Sequence, residues 1–254
     1  MPTAENPAIA HQPRDIYGWR ARIGYTSPPA ATEVFPYEFY LCMPRGVSLV
    51  VSTLTIVEMN SEEVNRGYDV SLKAARELAR SGVDLICLGG VPINRSRGGD
   101  MAALIREVEE DVKTPVTTST SAQMAAMKKM GAREILVAHP FPKSDEGMLT
   151  SCLDDHGYHV AAIKGAGLPA DHLGRVPRSA AISLTRELLK QAPNADTVWL
   201  PCPHWACAES IEAIEEEFGI TVVGAHQAIC WQSLRLCRID DAVPGFGKLM
   251  RSPL

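Results

Sequence analysis

The sequence predicts an α/β protein of two pseudo-symmetric Rossmann-like lobes, each a mainly parallel four-stranded sheet flanked by helices, with a cleft between them. Two observations carry this expectation. Short β-branched or apolar runs alternate with longer stretches of helical periodicity, and the second half of the chain repeats the layout of the first. A third agrees with it: 254 residues with 46% hydrophobic content bury a substantial core, as one large domain or two small ones.

Residues 1–19 carry three prolines among polar filler and read as an N-terminal arm that folds late or not at all, with Tyr17 and Trp19 pinning its end. Strands are expected at Arg22–Thr26, Ser48–Thr53, Asp84–Leu88 and Val116–Thr117, then at Glu134–Ala138, His159–Ile163, Thr197–Leu200 and Thr221–Val223. Apolar residues recur at helical spacing over Ser61–Ser81, Met101–Val112, Ala122–Met130, Ala180–Gln191 and Glu209–Phe218. Lobe 1 is drawn over 20–121 and lobe 2 over 122–227, with the C-terminal elements 228–254 packing back on lobe 1.

The repeat is explicit in the residues. "ARIGYTSPP" from Ala21 is echoed by "AREILVAHPFP" from Ala132, each a strand running into a proline-bearing loop. A helix with Arg-Glu-Leu leads to "DLICLGG" from Asp84, and another leads to "DTVWLPC" from Asp196. In this register Asp84 matches Asp196, Leu88 matches Leu200, Gly89 matches Pro201 and Gly90 matches Cys202. Ligands of open α/β sheets bind just beyond the carboxyl ends of the strands, so Gly90 and Cys202 would face one cleft from opposite sides.

The mild net charge of −5, with both signs interspersed, gives no footprint for nucleic acid or a membrane surface. Seven cysteines cannot all pair, and neither a signal peptide nor a bilayer-length apolar run is visible, so a reduced, cytoplasmic protein is expected.

Several segments together carry a family resemblance: Gly-Tyr-Thr-Ser-Pro-Pro at 24–29, Pro-Arg-Gly-Val at 44–47, Cys-Leu-Gly-Gly at 87–90 and Thr-Ser-Thr-Ser at 118–121. To these are added Cys202 with its helix up to Phe218-Gly219, the Gln227-Ala228 turn and the tail from Pro244 to Leu249. Over about residues 20–250 the chain resembles the Asp/Glu racemase superfamily, within it the branch of arylmalonate decarboxylase and maleate cis-trans isomerase. The resemblance implies cofactor-independent chemistry at the carbon next to a carboxylate of a small (di)carboxylic acid, and leaves homo-oligomerisation open. It further implies that two-base members place a cysteine on each lobe, whereas arylmalonate decarboxylases have glycine on the first lobe and keep the second cysteine. This chain has Gly90 and Cys202.

The distinction is physically sound. Decarboxylation leaves a planar enediolate, so one proton donor on one face suffices and its position sets the product's handedness. A thiol of ordinary pKa, roughly 8.5, is mostly protonated at neutral pH and can be that donor. Racemisation needs a second group on the other face, and maleate isomerisation a nucleophile, which the resemblance puts at position 90. A maleate-type isomerase and an amino-acid or hydantoin-type racemase are the alternatives, with His204 or His139 as substitute base. A carboxylate-binding protein that lost catalysis is the non-enzymatic one.

The chain departs from the arylmalonate decarboxylase pattern where that family has hydroxyl-bearing side chains, for here Val91, Pro92 and Phe141 occupy those places. Pro203 also removes the backbone N–H after the cysteine. One lost donor of such a hole costs about 2.7–4 kcal/mol of transition-state stabilisation, so others must substitute. Cys202 and His204 are the expected catalytic residues. Ser27, Pro28, Gly89, Gly90, Val91, Thr118, Ser119, Phe141 and Pro203 are expected at the substrate, with Ser27, Thr118, Ser119, His204 and the N–H groups of Gly89 and Gly90 as substitute donors.

Simpler readings apply to several of these. A metal set of Cys202, His204, Cys207, His226 and Cys230 lacks the paired C-x-x-C clusters of structural zinc, and no metal is expected. Cys207 is adequately explained as a buried thiol. Gly89 and Gly90 suit a turn better than a phosphate, since no G-x-G-x-x-G surrounds them. Arg95 and Arg97 could meet a second carboxylate, but an exposed ion-paired loop is commoner. Thr118–Ser121 can cap the following helix, His226 orders the turn after its strand, and His139 lies at the cleft rim.

Overall fold

The structure, a computed structural model, describes residues 16–253 apart from 59, 97 and 169. Most of the N-terminal arm and Arg97 lie outside the described residues. Of the two residues expected to pin the arm, Tyr17 is 95% exposed and pins nothing. Trp19 is half-buried, and the Arg20 guanidinium lies over its ring.

The first lobe runs β1 (Ala21–Pro29), α1 (Val34–Cys42), β2 (Val47–Ile56), α2 (Ser61–Arg80), β3 (Leu85–Leu88), α3 (Val91–Arg95), α4 (Met101–Val112) and β4 (Val116–Thr118). After α5 (Ser119–Met130) come β5 (Glu134–His139), α6 (Glu146–Asp154), β6 (His159–Gly165), α7 (Ser179–Gln191), β7 (Thr197–Leu200), α8 (Ala208–Phe218) and β8 (Thr221–Gly224). The chain ends with α9 (Ala225–Leu236) and α10 (Gly247–Met250). Two parallel sheets result, ordered β2-β1-β3-β4 and β6-β5-β7-β8.

The repeat is therefore one of topology as well as of sequence. In the first sheet Ile23 pairs with Leu85 and Thr26 with Leu88. In the second, Ile135 pairs with Thr197 and Val137 with Trp199. The matched aspartates do the same work at the bottom of each sheet. Asp84 Oδ2 accepts from the Arg22 N–H at 2.8 Å, and Asp196 accepts from the N–H groups of Arg133 and Glu134 at 3.1 and 3.2 Å.

A shared core joins the inner faces of both sheets: Ile23, Tyr25 and Leu85 from the first, Ile135, Val137 and Trp199 from the second. Residues of α5 and α9, among them Met127, Ala228 and Ile229, belong to the same core, and Trp199 Nε1 donates to Gln123 Oε1 at 2.8 Å. Separate cores lie under α2 and α4 on the first sheet and under α7 and α8 on the second. The segment after 228 touches both lobes. α9 packs on α1, α5 and β3, whereas α10 packs on α8 and β8.

Five helices were not expected from periodicity: α1, α3, α6, α9 and α10. α9 is buried on nearly every side, from Ala225 through Trp231, so no polar face marks a helical period. The others are at most nine residues long, too short for a period to stand out. α5 starts three residues before the expected Ala122 because the Thr118 hydroxyl caps it, accepting from the Ser121 N–H at 2.9 Å.

Candidate active site

The carboxyl ends of the central strands meet a cavity of about 610 Å³. β1 brings Pro28 and Pro29 to it, the turn after β3 brings Gly90 and Val91, and the turn after β7 brings Pro201, Cys202, Pro203 and His204. Phe141, following β5, completes the inner wall. The sequence-expected residues at the cavity are thus Pro28, Gly90, Val91, Phe141, Cys202, Pro203 and His204. Ser27, Gly89, Thr118 and Ser119 lie behind it.

The two glycines have different reasons to be glycine. The Gly89 N–H donates to the Thr26 carbonyl and hydroxyl at 3.1 and 2.9 Å. A Cβ at Gly89 would sit 2.1 Å from the Thr26 carbonyl oxygen, so this residue is stitched into the sheet end. Its N–H is not free for a substrate. Gly90 has φ +87°, and a Cβ there would lie 2.8 Å from Pro28 Cγ and 2.9 Å from Ile93 Cδ1. It is Gly90 that reaches the cavity, opposite a thiol and without room for one.

Cys202 is 2% exposed. Burial pushes its thiol up to about 12, against the pull of the His204 and Trp205 backbone N–H groups. At neutral pH the sulfur therefore holds its proton. His204, 9% exposed, bonds through Nδ1 to the Thr32 hydroxyl at 3.2 Å, and its Nε2 has no partner among the described residues. Burial, then the neighbouring His226, lowers its imidazolium to about 3. The ring is neutral, and too weak a base to remove a carbon-bound proton. With Nδ1 accepting from Thr32, Nε2–H becomes a donor.

The residues behind the wall organise it. Thr118 is committed to capping α5, and the Ser119 hydroxyl lies 3.5 Å from Asn94 Nδ2, which donates to the Leu88 carbonyl at 2.9 Å. The Ser27 hydroxyl is fully buried with no partner among the described residues, as is the Tyr25 hydroxyl, whose ring stacks on Phe35 at 3.8 Å. His139 is not at the rim. It is fully buried behind Phe141, which stacks on it, with Nε2 3.7 Å from Glu146 Oε1. Arg95 turns away from the cavity to pair with Asp155 on α6. His226 sits in the core beside Cys42 and Cys230. Among the described residues no three His, Cys, Asp or Glu side chains come together in a way that could hold a metal ion, and no helix is long and apolar enough to cross a membrane.

Periodicity missed the outer wall. Val34 of α1, Ile56 and Val57 after β1's neighbour strand, Val64 of α2, and Met148 and Leu149 of α6 make it largely apolar. The charged side chains that line it, Glu33 and Asp145, are both acidic. Only the short Thr32–Val34 stretch had a sequence signal, its closeness to the Pro28-Pro29 loop.

Two repeated α/β lobes meeting at a cavity with a buried cysteine on one side and a glycine on the other define a member of the Asp/Glu racemase superfamily. More narrowly, the chain belongs to the arylmalonate decarboxylase family, whose profile matches residues 23–250. An arylmalonate decarboxylase of Bordetella bronchiseptica is 25% identical over 234 residues, 89% of this chain and 95% of that one. A crystal structure of arylmalonate decarboxylase superposes with TM-score 0.77 at 24% identity, covering 90% of this chain and 98% of that chain. The maleate isomerase Iso from Pseudomonas putida S16 superposes with TM-score 0.84 at 18% identity, covering 91% and 98%. The maleate cis-trans isomerase of Nocardia farcinica gives 0.83 at 19%, again covering 91% and 98%.

Proposed function

We propose that this chain is a cysteine-dependent enzyme that decarboxylates a substituted malonate and delivers one proton from Cys202 to the α-carbon. The observation that carries the reading is the asymmetry of the cavity: a protonated thiol on one wall faces a glycine on the other. One donor on one face is what decarboxylation needs.

The substrate dianion enters with its substituent against the apolar wall of Val34, Ile56, Val64 and Leu149. The C–C bond to one carboxylate breaks, carbon dioxide leaves, and the electron pair passes into the remaining carboxylate as an enediolate. The Cys202 S–H then protonates the α-carbon, giving the monocarboxylate and a thiolate that regains a proton from solvent. His204 Nε2–H and the backbone at Gly90 are the donors that hold the retained carboxylate. Preorganised neutral donors in a water-poor site stabilise the growing charge without reorganising.

A maleate-type isomerisation is the second reading, because a Nocardia farcinica maleate cis-trans isomerase has been captured with a covalently bound succinylcysteine intermediate. It asks for a thiolate, which burial of Cys202 disfavours. The test is proton NMR in deuterated buffer with substituted malonates, maleate and chiral α-substituted acids, comparing the native protein with Cys202→Ala. Entry of a single deuterium at the α-carbon of a decarboxylated product, lost in the variant, supports the proposal. Turnover of maleate alone replaces it by the second reading, and decarboxylation that persists in Cys202→Ala removes the thiol's role.

A further inference from the structure

The turn that presents Cys202 ends at α8, and the start of α8 is unusual. Its N-cap is Cys207, which makes no side-chain capping bond, so the local sequence leaves the first N–H groups of the helix without the usual hydroxyl or carboxylate acceptor. The acceptor comes from the other lobe. Glu38, on α1 and 3% exposed, takes the Ala208 N–H on its Oε1 at 2.9 Å, 170 residues away in sequence. Its Oε2 is buried and has no partner among the described residues. A carboxylate is not removed from water for a cap that a serine at position 207 would supply, unless the long-range tie itself matters.

The tie has a counterpart. Thr32, just before α1, bonds His204, while Glu38, one turn into α1, bonds Ala208. Two hydrogen bonds from one short segment of the first lobe thus bracket the second-lobe turn that carries Cys202. We propose that Glu38 is a positioning residue for the Cys202 thiol, capping α8 across the lobe boundary and so setting the place of the turn at the cavity wall.

Glu38 also acts through its charge. The titratable groups around it are Cys42 on its own helix, His226 and Cys230 on α9, and Cys202 and Cys207 on the turn. Its negative charge adds to burial in disfavouring the Cys202 thiolate. A cap that only held the helix in place would leave the thiol's titration where it is.

The inference rests on Cys202 as the proton donor, but its test needs no substrate, so the two can fail separately. Full-length native protein, Glu38→Gln and Glu38→Ala are compared in two measurements. Amide hydrogen exchange at Ala208 is expected to be about tenfold faster in the alanine variant, the worth of one lost hydrogen bond, and near native in the glutamine variant, which keeps an acceptor. Iodoacetamide labelling of Cys202 against pH, resolved from Cys207 and Cys230 by fragment-ion mass spectrometry, is expected to shift its midpoint to lower pH in the glutamine variant, where the charge is gone. Native protection of Ala208 in Glu38→Ala, or acceleration spread equally over α4, overturns the proposal, as does an unmoved Cys202 midpoint in Glu38→Gln. Should the alanine variant fail to fold, the glutamine midpoint alone decides.

Discussion

The ends of β3 and β7 are the same place in two copies of one fold, yet one carries Gly90 and the other Cys202. At the first, φ of +87° and the closeness of Pro28 and Ile93 forbid a side chain. At the second, the turn has room for a thiol and surrounds it with apolar residues that keep it protonated. Pseudo-symmetry builds the cavity, and its breaking at one pair of positions makes the cavity one-sided.

The comparison breaks most completely at the thiol. Cys202→Ala is expected to lower turnover by about 10³–10⁴-fold, the upper range for a lost general acid, with ligand binding retained. The α-deuterium assay measures the first, and titration with a non-reacting carboxylate measures the second. His204→Phe comes next: it keeps bulk but removes the Nε2 donor, and kcat is expected to fall about 10²-fold. An unchanged kcat would leave the retained carboxylate to backbone groups alone.

From the other side, Gly90→Cys asks whether a second thiol can be added. The positive φ and the two short contacts are expected to cost about 1–3 kcal/mol in urea unfolding, with no wash-out of an α-proton gained. A stable variant that racemises would mean that the first-lobe turn is softer than its geometry.

The smallest effects at working pH are electrostatic. Cys202 is raised from an ordinary value of 9.0 to about 12. Its contribution to stability is present below pH 9 and is lost as pH rises from there through about 12, because the unfolded chain ionises first. His204 is lowered from 6.5 to about 3, so its contribution is present above pH 6.5 and is lost as pH falls through about 3. Urea midpoints against pH for the native chain and Cys202→Ala check the alkaline limb, which should be shallower in the variant.

Much of this was legible in the chain. The alternation of strand and helix, the Asp84 and Asp196 pair, and the match of Gly90 to Cys202 follow from local pattern and repeat, which are properties of short segments. The placement of Gly89, Ser27, Thr118 and Ser119 was not, because a residue two positions from a cavity residue along a strand end points elsewhere once the turn is formed. His139, expected at the rim, is buried because Phe141 folds over it. α9 was invisible because a helix buried on all sides has no polar face to set a period.

By itself, then, the sequence determined two parallel α/β lobes, their register and the residue pair at their facing strand ends, because hydrophobic periodicity and internal repetition are encoded locally. Only the tertiary structure decided which glycine faces the thiol, that the thiol is buried and holds its proton, and that Thr32 and Glu38 reach across to His204 and Ala208. Burial and contacts between residues 170 or so apart are products of how the lobes close, and no spacing along the chain records them.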